Sequence, residues 1–216
     1  SKSILFNIDQ KAAIISKKEI DALLDVFQSV LDETSGYFKV GYIAKFERDL
    51  DKKGLLKEFK EEFKNYSSDG ANWEEGRKEI EFELEAVSKA FAKITNQDES
   101  ACINIVENYR SNYKVSIDDF AKQVKDYIDQ KGNGFRLNFF VDEVGQYIAD
   151  NSKLMVNLQT IAESLNTYCK GKAWIIVTAQ EALDKVVGDK FSQQANDFSK
   201  IMARFDIRMP LTSQNV

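Results

Sequence analysis

Four short apolar runs, at 4–8, 136–141, 173–177 and 205–209, interrupt a chain that is otherwise patterned in helical periods. Each is too short for a helix and rich in Ile, Val, Phe or Trp, which predicts strands. The run Leu137-Asn138-Phe139-Phe140-Val141 has four large apolar residues in five, the pattern of a strand buried on both faces of a parallel sheet. Between 136–141 and 173–177, residues Leu154, Met155, Leu158, Ile161, Ala162 and Leu165 recur at helical spacing. Ser152 sits at the N-cap position of that helix and Gly171 at its stop. Further helices are expected from about Gln180 and over 196–203. Strands alternating with helices argue for a parallel sheet with right-handed crossovers.

Residues 16–130 read differently. Lys, Glu, Asp and aromatic residues dominate, and amphipathic helices are predicted over 18–31, 46–66, 73–94 and 117–128. Ser116-Ile117-Asp118-Asp119 resembles a capping box with Asp in its last position. Loop signals fall at Ser35-Gly36, 65–70 and 95–100. The one proline, Pro210, lies outside this region, so no helix in it carries a proline break. The expected layout is an α/β core, 1–15 and 131–216, interrupted by a helical insertion, 16–130. Such an insertion adds little loop-closure entropy and is a natural place for partner contacts.

Composition removes whole classes of chemistry. The chain has no histidine, which excludes histidine-based triads, zinc sites and proton shuttles. Thirty basic residues against 35 acidic ones leave a net charge of -5, with no overall footprint for nucleic acid. Cys102 and Cys169 stand far apart without metal-ligand spacing and read as reduced, partly buried thiols of a cytoplasmic protein. No apolar run approaches the roughly 20 residues of a membrane span, so no membrane partner is expected. The opening Ser1-Lys2-Ser3 leads directly into a strand, which suggests a piece of a longer protein.

The candidate chemistry lies where strands end. Asp142 and Glu143 follow the run 137–141 and would emerge at the carboxyl edge of the sheet, where open α/β sheets bind ligands. An Asp there can hold Mg²⁺, and the adjoining Glu can orient and deprotonate a water for attack on a phosphoryl group. The competing reading is that both merely begin a turn or cap the next helix. Thr178 and Gln180 follow the run 173–177 at the same edge. Either can hydrogen-bond an attacking water and sense a γ-phosphate, with Gln180 having the longer reach, or either can cap the following helix. Arg204, at a helix–strand junction before Phe205-Asp206, suits an arginine finger, the alternative being a surface ion pair. Arg208, inside the strand, reads as structural. No GxxxxGK[ST] loop occurs: Gly171-Lys172 is followed by Ala173. A carboxylate-based Mg²⁺-dependent phosphatase or nuclease is a weaker reading, because it would have only Asp9 and Glu181 to add.

Three stretches, Phe139-Phe140-Val141-Asp142-Glu143-Val144-Gly145-Gln146-Tyr147-Ile148, Leu158-Gln159-Thr160 and Trp174-Ile175-Ile176-Val177-Thr178-Ala179-Gln180-Glu181-Ala182-Leu183, resemble the large P-loop ATPase of BREX phage-defence systems, the BrxC/PglY family. Asn7-Ile8-Asp9-Gln10-Lys11 and Arg204-Phe205 extend the resemblance, which is weak through the insertion. It implies a partial AAA+/ASCE-type P-loop NTPase core working on ATP and Mg²⁺. Asp142 would serve the metal, Glu143 the attacking water, Gln180 or Thr178 sensing, and Arg204 a neighbouring subunit's nucleotide. Implied partners are other BREX components, a possible homo-oligomer, and phage DNA reached indirectly. A nucleotide-gated switch or scaffold, with an insertion that binds partners and little hydrolysis, is the alternative. The missing Walker A loop is the departure from the family pattern.

Overall fold

The computed structural model describes residues 1–8, 22–144, 152–178 and 207. The expectations at Asp9, Gln180, Glu181, Arg204, Arg208, the strand 205–209 and the helices after 179 lie outside these residues. The chain divides into two compact units, 1–27 with 115–216, and 28–114.

The first unit is α/β. Strands β1 (Lys2–Asn7), β2 (Leu137–Asp142) and β3 (Ala173–Val177) form a parallel three-stranded sheet in the order β1-β2-β3. The register sets Ile4 beside Phe139 and Ile175, and Phe6 beside Val141 and Val177. Because side chains alternate across a strand, these residues share one face. Phe27 packs there, with ring centroids 5.4 Å from both Phe6 and Phe139 and 6.0 Å from Phe120. Phe27 belongs to helix α1 (Ala22–Ser35), within which the division between the units falls.

The opposite face differs from the expectation of full burial. Asn138 and Phe140 are half-buried, Leu5 is exposed, and β2 alternates rather than burying both sides. A run of apolar residues fixes that a strand is buried, but not how completely each face is covered.

Helix α8 (Ile117–Gln130) turns Phe120, Ala121, Val124 and Ile128 inward. Its expected cap is present: the Ser116 hydroxyl accepts the Asp119 N–H at 3.1 Å and donates to Asp119 Oδ2 at 2.6 Å. The acidic side chain therefore meets the capping hydroxyl, where a full capping box would return it to the backbone. Residues 115–130 belong with the sheet by contact, because Phe120 stacks on Phe27 and Phe139. Helix α9 (Ser152–Cys169) packs on α8 and β3 through Leu154, Leu158, Ile161 and Leu165. Ser152 is its first residue rather than the residue before it, and Gly171, at φ +76°, ends the segment as expected.

The second unit is helical. After the end of α1 come α2 (Gly41–Lys52), α3 (Leu56–Tyr66), α4 (Trp73–Gly76), a 3₁₀ turn (Arg77–Phe82), α5 (Leu84–Thr95), α6 (Glu99–Cys102) and α7 (Ile105–Ser111). The expected helix over 46–66 is broken in two at Gly54, whose φ of +72° is left-handed. The expected helix over 73–94 is broken by the 3₁₀ turn, inside which Glu79 leaves helical geometry. Gly76 sits against Phe63: a Cβ there would lie 2.4 Å from that ring. Residues 99 and 100, read as loop, open α6.

The core of this unit is aromatic. Phe46, Phe59, Phe63 and Trp73 interlock with centroids 5.0 to 6.2 Å apart. Set into it is Glu47, 1 % exposed, which accepts 2.6 Å hydrogen bonds from Trp73 Nε1, Arg77 Nη1 and the Phe38 N–H. Three donors on one carboxylate make a buried charge tolerable. No described helix is long and apolar enough to cross a membrane.

Candidate functional site

Side-chain and backbone hydrogen bonds converge at the end of β2. Asp142 is the last residue of the central strand and is exposed. Its Oδ1 accepts the Glu143 N–H at 3.1 Å and the hydroxyl of Thr178, one residue past β3. The Thr178 hydroxyl in turn lies 3.4 Å from the Glu143 N–H. Backbone bonds close the corner: Thr178 N–H donates to the Val141 carbonyl at 3.0 Å, and Val144 N–H to the Thr178 carbonyl at 3.2 Å. Parallel pairing of β2 with β3 is the cause, since it brings both strands to the same edge at the same height.

Glu143 leaves the strand at φ +60°, a left-handed conformation that a residue with a Cβ adopts at a cost of about 1 kcal/mol or more. The surroundings hold it there. Its N–H is fixed by Asp142, and its side chain by Asn7, whose Nδ2 donates to Glu143 Oε2 at 2.5 Å. Asn7 ends β1 in register with Asp142. The strained turn thus carries the half-buried Glu143 carboxylate back toward β1, one residue before the helical Val144.

Four of the residues needed at one edge therefore come from all three strands: Asn7, Asp142, Glu143 and Thr178. The sequence singled out the last three. The run 4–8 places Asn7 inside a strand, whereas the structure ends β1 at Asn7 and so brings its side chain to this edge.

Among the described residues no three His, Cys, Asp or Glu side chains gather as a metal cluster. Asp142 alone does suit Mg²⁺. It is exposed, and its Oδ2 has no partner among the described residues, whereas Oδ1 is anchored. Mg²⁺ requires six oxygens and commonly takes one or two from carboxylates, the rest from phosphates and water. A nucleotide is a different case. Nothing in the 216 residues provides the glycine-rich loop and lysine that would cradle its β- and γ-phosphates.

No family model matches the chain, and no solved structure matches it.

Proposed function

We propose that this chain carries the Walker B, sensor and arginine-finger part of an AAA+-like ATPase of the BREX type, whose phosphate cradle is supplied by sequence beyond these 216 residues. One observation carries the reading. The strand that ends at Asp142 lies between the two other described strands, all parallel, so its neighbours on both sides are already filled. In an ASCE-type sheet the Walker A strand is separated from the Walker B strand by one intervening strand, the part this reading gives to β3.

The chemistry asked of these residues is modest. Asp142 Oδ2 would hold Mg²⁺, which supplies charge neutralisation for a phosphoryl group when bound. Thr178 keeps Asp142 in place through Oδ1. The Glu143 carboxylate accepts a proton from a water set at the strand edge. The hydrogen bond from Asn7 holds that carboxylate toward β1, and breaking it lets the side chain turn to orient a water. Gln180 remains the longer-reaching candidate sensor, and Arg204 the candidate finger toward a neighbouring subunit. The setting is cytoplasmic, with other BREX components as partners.

The hold of Asn7 on Glu143 also favours the second reading, a nucleotide-gated switch that hydrolyses little. Phosphate release by the intact protein, cradle included, separates the two. Hydrolysis lost in Glu143→Gln with nucleotide binding retained supports the ATPase. Equal slow turnover in wild type and variant leaves the switch. Mixing Arg204→Ala with Glu143→Gln protein should restore some activity at hybrid interfaces, and no recovery from well-folded mixtures argues against a finger acting in trans.

A further inference from the structure

Four large apolar side chains of the helical unit face solvent: Phe82 at 83 % exposure, Ile103 at 63 %, Tyr66 at 38 % and Leu84 at 37 %. Three side-chain hydrogen bonds tie together the segments that carry them. The Ser88 hydroxyl lies 2.8 Å from the Leu84 carbonyl and 3.2 Å from that of Ile103. Ser67 Oγ donates to Glu83 Oε1 at 2.9 Å, which ties the neighbour of Tyr66 to the residue between Phe82 and Leu84. Scattered exposed leucines are ordinary, but large apolar side chains exposed together on segments tied to one another mark an interaction surface.

Charge says what it fits. The segment 74–85 holds six glutamates against Arg77 and Lys78. Unit 28–114 as a whole has 18 acidic and 14 basic residues, so its entire acidic excess sits in this stretch. Around Phe82 the chain alternates as Glu79-Ile80-Glu81-Phe82-Glu83-Leu84-Glu85, with Ile80 and Glu83 turned inward and the others exposed. Glu85 pairs with Lys89 and Glu81 with Arg110, exposed pairs that a competing cation can exchange. Glu79 makes no ion pair among the described residues.

We infer that this patch docks a basic amphipathic segment of a partner protein, its apolar residues on Phe82, Leu84, Ile103 and Tyr66 and its Lys or Arg side chains on the glutamate rim. Nucleic acid is disfavoured because its phosphates would meet carboxylates. A second copy is disfavoured because a two-fold contact would set the same acidic rim against itself. The inference does not depend on any chemistry at Asp142.

The test titrates the isotope-labelled 216-residue chain with a synthetic Leu/Lys amphipathic peptide and with its Leu/Glu counterpart. The Lys peptide should shift the amides of residues 66–67, 82–84, 88 and 103. Its Kd should rise about tenfold in the Phe82→Ser, Ile103→Ser double variant, as expected when anchor residues are removed. It should weaken further as salt is raised, and the Glu peptide should not bind. Both substituted side chains are exposed, so the variant should keep the wild-type melting curve. Absence of binding, shifts spread elsewhere, or equal affinity in the double variant would overturn the inference. So would self-association of the free chain that disappears in the variant, because the occupant would then be a second copy.

Discussion

Asn7 Nδ2 and Glu143 Oε2 lie 2.5 Å apart, joining the end of β1 to the turn after β2. The whole helical region and β2 separate the two residues in sequence, and parallel pairing brings them together. On the proposed ATPase reading, Asn7→Ala in the intact protein should leave nucleotide affinity unchanged and raise basal phosphate release severalfold. The variant removes the donor that turns the carboxylate toward β1. Unchanged or lower turnover, measured beside an inactive Glu143→Gln control, would show that Asn7 positions Glu143 rather than restraining it.

The left-handed backbone at Glu143 gives a prediction independent of activity. Glu143→Gly and Glu143→Ala both delete the carboxylate and the bond from Asn7, but only alanine must still adopt φ +60°. The glycine variant should be more stable than the alanine variant by about 1 kcal/mol. Urea unfolding of the two proteins measures the difference, and equal midpoints would mean that the turn relaxes once its side chain is gone.

Glu47 is the most consequential buried charge in the helical unit. Glu47→Ala would leave Trp73 Nε1, the Phe38 N–H and the Arg77 guanidinium without their acceptor. An uncompensated cation of this kind costs about 3–5 kcal/mol. Chemical denaturation followed by tryptophan fluorescence should show the loss through Trp73, whereas Lys57→Ala, at an exposed 3.9 Å pair, should change stability by about 0.5 kcal/mol or less.

Both cysteines are free and buried. Burial pushes the Cys169 thiol up to about 11 and raises that of Cys102. Neither should react with a thiol reagent in the folded chain near pH 8, and both should react after denaturation. The fold holds the Cys169 proton more tightly than the unfolded chain, so its contribution to stability is intact below about 9 and is lost as pH rises to about 11. Stability that rose over that interval, or fast labelling of the native chain, would contradict this.

Much of the sheet was legible because strand signals are local. Ala173–Val177 is found where its β-branched and aromatic run predicts it, and β1 and β2 within one or two residues. Asp142, Glu143 and Thr178 could be placed at one edge from sequence, since a parallel sheet brings all its carboxyl ends together. The helical region was legible as helix but not in its breaks. Gly54 and the turn at Glu79 divide helices whose amphipathic period runs on through them. Their cause is local backbone geometry, which the apolar period does not encode.

What only tertiary structure decided is who meets whom. The residue types at 7, 47, 82 and 103 carry no local mark of their roles. Asn7 reaches Glu143 because two strands distant in sequence pair in register. Glu47 is buried because Trp73 and Arg77 close over it, and the segments of Leu84 and Ile103 come together because the Ser88 hydroxyl reaches both their carbonyls. Hydrophobic period and strand-end carboxylates are properties of neighbouring residues, so the sequence by itself determines them. Long-range pairing is set by how the elements pack, and the φ of +60° at Glu143 persists because the bonds made by that packing hold it.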